Sequence, residues 1–334
     1  MEDLGVVVIQ LEEAKRLLLK SRPEYHRLAL ILLDNAAELQ LLRATRGWVS
    51  RDELMDRIGS RVRDHTAKDL PDALRELAQR KPMTQQRKAK LQRFFGEKVD
   101  YLALEKGEVA PDIAEVLHYL HRSRNRVYHD GDLERHIAKA LGILLLELNC
   151  RLLETLPLDM LSWVSNRDYA WLTRYGVESG FFLDQERDMG VITGRLRKGV
   201  PRTVSSVRDP LIAECERRLE KLDDALVFIS ENDPATEDRR SPLKAAQYYR
   251  HVMSGAEHWS PDGLRGYRPR YGVRLLNRCR SRLAALRDAT TAMGAFREFA
   301  ELIEDVEMIE ADVFALTAEI DAYIQNEIDR ALGK

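Results

Sequence analysis

One stretch of the chain gathers more titratable chemistry than any other: Leu117-His118-Tyr119-Leu120-His121-Arg122-Ser123-Arg124-Asn125-Arg126-Val127-Tyr128-His129-Asp130-Gly131, with three histidines and three arginines. An imidazole titrates near neutral pH and so can both take up and return a proton there. A guanidinium presents a planar, always-charged fork that matches phosphate oxygens. Arg124 and His129 bring these two groups within five residues, and of the eight histidines only His129 has an arginine at that distance before it. The chemistry such a pair suits is proton transfer beside a phosphate.

The elements that must position the pair are helical. Pro111 suits the first turn of a helix, and Ile113, Leu117, Leu120 and Val127 recur at the spacing of one apolar face. That stripe places Arg124 on the apolar side, where a charge is costly unless it is paired or lines a solvated crevice. Asp130-Gly131 is a turn signal, which puts His129 at the helix end. Asp132 then suits an N-cap, and an apolar helix is expected from about Leu133 to Leu153. A structural reading is also open: Arg124 as an ion-pair partner of Glu38 or Glu115, and His129 as a residue favoured by the helix C-terminal dipole. His118 and His121 share the helix at a spacing of three but lack a cysteine or carboxylate at ligand spacing, so no metal site and no cofactor are expected.

Arg124-Asn125-Arg126-Val127-Tyr128-His129 resembles the Arg-Asn-x-x-x-His form of the Arg-x4-His motif of HEPN-domain proteins, many of which are metal-independent RNases. The resemblance covers roughly residues 1–157 and implies a small helical bundle whose last two long helices flank the motif. It implies too a homodimer that brings two motifs together across a cleft. The catalytic residues it implies are Arg124, His129 and Asn125. RNA supplies its own nucleophile, the 2′-hydroxyl, so His129 as base or acid and Arg124 as a stabiliser of transition-state charge would suffice without metal. Arg122, Arg126, Tyr128, His121 and Lys88 are the candidates for holding substrate.

Composition bounds the rest. The 334 residues are 44% hydrophobic and 32% charged, with a net charge of −2. That suits a water-soluble helical protein and gives no global nucleic-acid signal. Cys150, Cys215 and Cys279 are far apart and unclustered, as expected of reduced core thiols in a cytoplasmic protein. The N-terminus has no signal-peptide pattern, and the longest apolar run, Leu28 to Leu33, is too short to span a membrane.

Taken in order, residues 5–20 predict a first helix with Val8, Leu11, Ala14 and Leu18 along one side. A second helix from Pro23 is carried by Leu28, Ile31, Leu32, Leu39 and Leu42, and the same stripe includes Asn35, which could bond Arg124 or His129 or a nearer polar group. Ser50 and Glu53 form a capping box for a separate short helix, and 61–84 reads as an insertion. Next come Arg80, Lys81, Arg87, Lys88, Lys90 and Arg93 with Phe94 and Phe95, which would suit a phosphate backbone with stackable bases or a merely solvated face. Residues 158–207 read as a connector with short helices.

Beyond it, Ile212, Cys215, Leu219, Leu222, Leu226 and Ile229 alternate by three and four. The alternation returns in Leu276, Cys279, Leu283 and Leu286, and again from Phe299 through Tyr323. The arginine-rich segment Arg265, Arg268, Arg270, Arg274, Arg278, Arg280 and Arg282, with Tyr267 and Tyr271, precedes a helix whose charges from Glu298 to Asp329 are all acidic. Complementary pairing in a helical hairpin and binding of RNA or a phosphorylated ligand are both open for it.

The expectation is therefore all-α: a HEPN-like bundle over 1–157, a connector over 158–207 and a coiled-coil-like helical domain over 208–334. The expected activity is a metal-independent endoribonuclease, the role HEPN relatives commonly fill as toxins or phage-defence effectors. Its expected partners are RNA, a second copy of the chain and an antitoxin or regulatory protein, with no membrane. The alternative is a non-catalytic HEPN-like module or helical scaffold that docks a protein, RNA or nucleotide.

Overall fold

The computed structural model describes residues 2–64, 71–79, 81–130, 137–157, 170–177, 185–232, 242–256 and 258–333. Among them the regular elements are all helices, so the chain is all-α. It divides into two compact units, 1–202 and 203–334.

The first unit is built on a helical hairpin. Helix α1 (Glu2–Leu18) buries Val7, Val8, Leu11, Ala14 and Leu18, and returns through residues 19–22 as α2, Pro23–Asp64. Helix α2 runs 42 residues without a break. Ser50 lies inside it and caps nothing, which corrects the expectation of a separate helix starting there. Glu53, its intended capping partner, instead accepts the Lys88 ammonium at 2.6 Å.

The buried face of α2 is also rotated from the expected one. Leu28 is 46% exposed, and Ile31, Leu32, Asn35, Leu39 and Leu42 are half-buried. The core takes Ala29, Leu30, Leu33, Ala36, Ala37, Leu41 and Ala44 instead. The alanines decide this, because small side chains let α1 and α7 (Ala138–Thr155) approach α2 closely. Gly142 on α7 lets α1 approach in turn: a Cβ there would lie 2.4 Å from Leu18 Cδ2. Gln40 donates to Asn149 Oδ1 at 2.7 Å, and Asn149 donates to the Leu33 carbonyl at 3.1 Å. These buried amides fix the register of α2 against α7.

Smaller helices cover this core. Helix α3 (Asp72–Gln79) packs on α2, and α4 (Gln85–Arg93) starts at a Thr84 cap whose hydroxyl accepts Arg87 N–H. Helix α5 (Phe95–Asp100) passes into one π-turn, Tyr101–Glu105. The turn carries Tyr101 and Lys106 to Asp52 of α2, at 3.0 Å each, with the Lys106 ammonium 4.8 Å above the Trp48 ring. Helix α6 (Pro111–Asp130) then packs on α2 and α7. The segment 131–136, with Asp132 and the expected start of the next helix near Leu133, lies outside the described residues; α7 is described from Ala138 and ends before Pro157. After the short α8 (Ala170–Thr173), α9 (Gln185–Arg197) docks on α7 within this same unit. Arg197 is shared there between Glu147 and Glu154.

In the second unit α10 (Val204–Asn232), α13 (Val273–Asp288) and α14 (Ala292–Ala331) pack along their apolar seams, joined by α11 (Pro242–Met253) and α12 (Pro261–Gly266). Phe299, Leu302, Val306, Ile309, Val313, Leu316 and Ile320 are buried, and the seam ends before Tyr323, which is 64% exposed. Much of the arginine-rich segment is paired: Arg278 with Asp305 at 2.9 Å, Arg282 with Glu301, Arg270 with Asp312 at 2.7 Å, and Arg280 with Asp223 at 2.7 Å. Arg218 of α10 joins Glu310 of α14 in the half-buried interior of the seam.

Candidate functional site

The candidate site is the C-terminal half of α6. Ala114, Val116, Leu117, Tyr119 and Leu120 are buried, because their spacing turns one side of the helix onto α2 and α7. The helix stays unbroken to Asp130, so Arg122, Arg124, Asn125, Arg126, Tyr128 and His129 all stand on it. The side chains of 123–130 lie outside the described residues. Backbone register alone places position 124 one turn beyond the buried Leu120. Position 129 is about 7.5 Å along the axis and roughly 140° around it from 124. Position 129 also follows the row of His118 and Arg122, whose side chains are respectively half-buried and exposed.

What holds this helix is better defined. His121 is half-buried; its Nδ1–H donates to the Asp34 carboxylate at 3.0 Å, and its ring stacks on Phe95 with centroids 4.0 Å apart and planes 4° from parallel. Asp34 itself is 2% exposed. His121 thus ties α6 to α2 and α5 just one turn before the motif. His118 Nε2 meets Asp100 of α5 at 2.8 Å, so the two imidazoles engage different carboxylates. Among the described residues no group of three or more metal-ligating side chains comes together. Arg122 is exposed, with its guanidinium 5.9 Å over the Tyr119 ring.

The other expected contributors are placed differently. Lys88 is on α4 and pairs with Glu53. Arg87 pairs with Glu105, while Lys81, Lys90 and Arg93 are exposed; Arg80 lies outside the described residues. Phe94 is 47% exposed, but Phe95 is buried beneath His121, which withdraws it from any stacking surface. Glu38, one proposed partner of Arg124, accepts the ammonium of Lys98 at 3.0 Å, and that side chain is fully buried. Asp34 and Lys98 are supports not singled out from the sequence, and Phe95, expected at a stacking surface, is a third. The one signal for Asp34 was its place beside Leu33 on the alanine-lined face of α2.

Burial pushes the Cys150 thiol up to about 12 and the Cys279 thiol up to about 11, and raises Cys215 as well. All three are free and buried, hence poor nucleophiles at neutral pH. No helix among the described residues is long and apolar enough to cross a membrane. Compared with protein-family models, with curated proteins and with solved structures, the chain matches none.

Proposed function

We propose that the first unit is a metal-independent endoribonuclease of the HEPN kind, acting through Arg124 and His129 with Asn125 beside them. The observation that carries this reading is the Arg-Asn-x-x-x-His sequence within one continuous helix, α6. The buried His121–Asp34 contact one turn earlier supports it, since a catalytic segment needs a rigid base.

In this mechanism His129 takes the 2′-hydroxyl proton, the 2′-oxygen attacks the adjacent phosphorus, and the 5′-oxygen leaves with a proton, giving a 2′,3′-cyclic phosphate. Arg124 neutralises the charge that grows on the phosphoryl oxygens. Asn125 orients the phosphate or the imidazole. One histidine serves poorly as base and acid in a single turnover, so a second chain supplies the other across a two-fold interface. Arg122, Arg126 and Tyr128 hold the neighbouring nucleotides; His121 and Lys88 act through the packing described above. As a toxin or defence effector the chain would be held in check by a regulatory partner.

The test is incubation of the full chain with mixed cellular RNA in EDTA. Cleavage that vanishes in both Arg124→Ala and His129→Ala, with unchanged helicity, supports the reading. Full binding of RNA without cleavage leaves a docking module in its place.

A further inference from the structure

The first unit contains a second candidate site, away from the motif helix. Helix α1, the turn after α8 and the C-terminal end of α9 line a cavity of about 420 Å³, broadly open to solvent, formed by Glu12, Lys15, Arg16, Leu19, Arg174, Tyr175, Arg195 and Leu196. Its size falls within the range of small-ligand pockets, about 300–1,000 Å³. Four of these side chains, Lys15, Arg16, Arg174 and Arg195, are cationic and one, Glu12, is a carboxylate.

Two of the four cations, Lys15 and Arg195, are held by neutral oxygens, and the other two, Arg174 and Arg16, by carboxylates. Lys15 donates to the Arg195 carbonyl at 2.7 Å, and Arg195 donates to the Arg174 carbonyl at 2.5 Å. Both anchors are neutral oxygens, so each fixes a side chain while leaving its charge in the cavity. Arg174 reaches Glu12 at 3.3 Å, the lone acid of the lining, and Arg16 is paired with Glu13 outside it. Burial lowers the Lys15 ammonium from its ordinary value, Glu12 opposes this and nearby Lys198 adds to it. The charge of an incoming anion would offset the net lowering.

The turn is shaped for this arrangement. Gly176 has φ +71°, and a Cβ there would lie 3.3 Å from Arg195 Nη2, so a side chain at 176 would be strained and would crowd the guanidinium. Tyr175 is buried with its ring beneath Arg195, 5.9 Å from the guanidinium carbon. Leu196 is buried as well, while Leu19 is 51% exposed at the rim. The cavity therefore has a cationic side rich in N–H donors and an apolar side made of Leu19, Leu196 and the Tyr175 ring.

We infer that this cavity binds a small organic phosphate monoester, with the phosphate on Lys15, Arg174 and Arg195 and the apolar body against Leu19 and Leu196. Guanidinium forks match phosphate oxygens in pairs, and an ester of this size fills the space that inorganic phosphate would leave open.

Isothermal titration of the full chain with AMP and phenyl phosphate, against adenosine, phenol and inorganic pyrophosphate, tests this. The expected result is binding of at least one ester with a Kd below about 1 mM, no binding of its dephosphorylated counterpart, and weaker binding of pyrophosphate. Leu19→Glu adds an anion at an exposed position where folding is not at stake, and Lys15→Gln removes one cation from a good helix position. Each should weaken ester binding by roughly tenfold or more. Failure of both esters to bind, equal binding of the dephosphorylated compounds or of pyrophosphate, or affinities unchanged in both variants would each overturn the inference. RNA cleavage is not read in this experiment, so its outcome is independent of the proposed nuclease activity.

Discussion

His121 offers a sharp division between holding the motif and performing chemistry. Replacing it with alanine removes the Nδ1–H bond to the buried Asp34 carboxylate, an interaction worth about 1.5–3 kcal/mol when a charged group is involved. It removes the ring stacked on Phe95 too, worth about 0.5–1.5 kcal/mol beyond area burial. The imidazole is 22% exposed, so water recovers part of both. The expected loss is about 2–3 kcal/mol in the stability of the first unit. Hydrogen–deuterium exchange of peptides from α2 and α6 reads this unit by itself, without assuming that the whole chain unfolds in one step. Protection there should fall by roughly 30- to 150-fold in His121→Ala, and hardly at all in Arg122→Ala, whose side chain is exposed. A His121→Ala change below about 0.5 kcal/mol would refute the reasoning, because α6 would then be held by its apolar face alone.

Three other perturbations follow from the same geometry. Glu38→Ala leaves the fully buried Lys98 ammonium without its carboxylate and should cost about 1–3 kcal/mol, discounted because Glu38 is a third exposed; Lys98→Met should be near neutral or stabilising. Exchange in α2 and α5 checks both. Arg218→Ala leaves Glu307 and Glu310 facing each other on α14 and should cost about 2–4 kcal/mol in the second unit, read as faster exchange in α10 and α14. The thiols give a pH dependence. The folded state binds their protons more tightly than the unfolded chain, whose ordinary value is near 9.0. Their contribution is thus present below about pH 9 and is lost as pH rises towards about 11 for Cys279 and about 12 for Cys150. A chromogenic disulfide at pH 8 should label none of the three thiols before denaturation and all three after it.

Helix ends and faces were legible where local chemistry dictates them. Pro111 starts α6, and Pro157 follows the end of α7. The face of α1 and the seam of α14 as far as Ile320 follow directly from apolar spacing. The phase of α2 did not, because leucines on its half-exposed side outweighed the alanines that lie against its neighbours. Nor did the continuity of α2 past Ser50, where a local capping signal was overridden by packing along the helix. The pairing of arginines with the acids of α14 was foreseeable as charge complementarity. The support of His121 by Asp34, 87 residues away, was not, since nothing local in either segment marks the other. The motif itself was legible only as spacing and residue type.

RNA cleavage without metal remains the most direct measurement. A 5′-labelled RNA incubated with the full chain in EDTA should be cut to fragments ending in 2′,3′-cyclic phosphate. Cleavage should stop when the 2′-hydroxyl at the cut position is replaced by hydrogen, and it should be lost in His129→Ala while α6 keeps its exchange protection. Cleavage that survives the 2′-deoxy substitution, or that proceeds undiminished in His129→Ala, would contradict the assignment of this chemistry to Arg124 and His129.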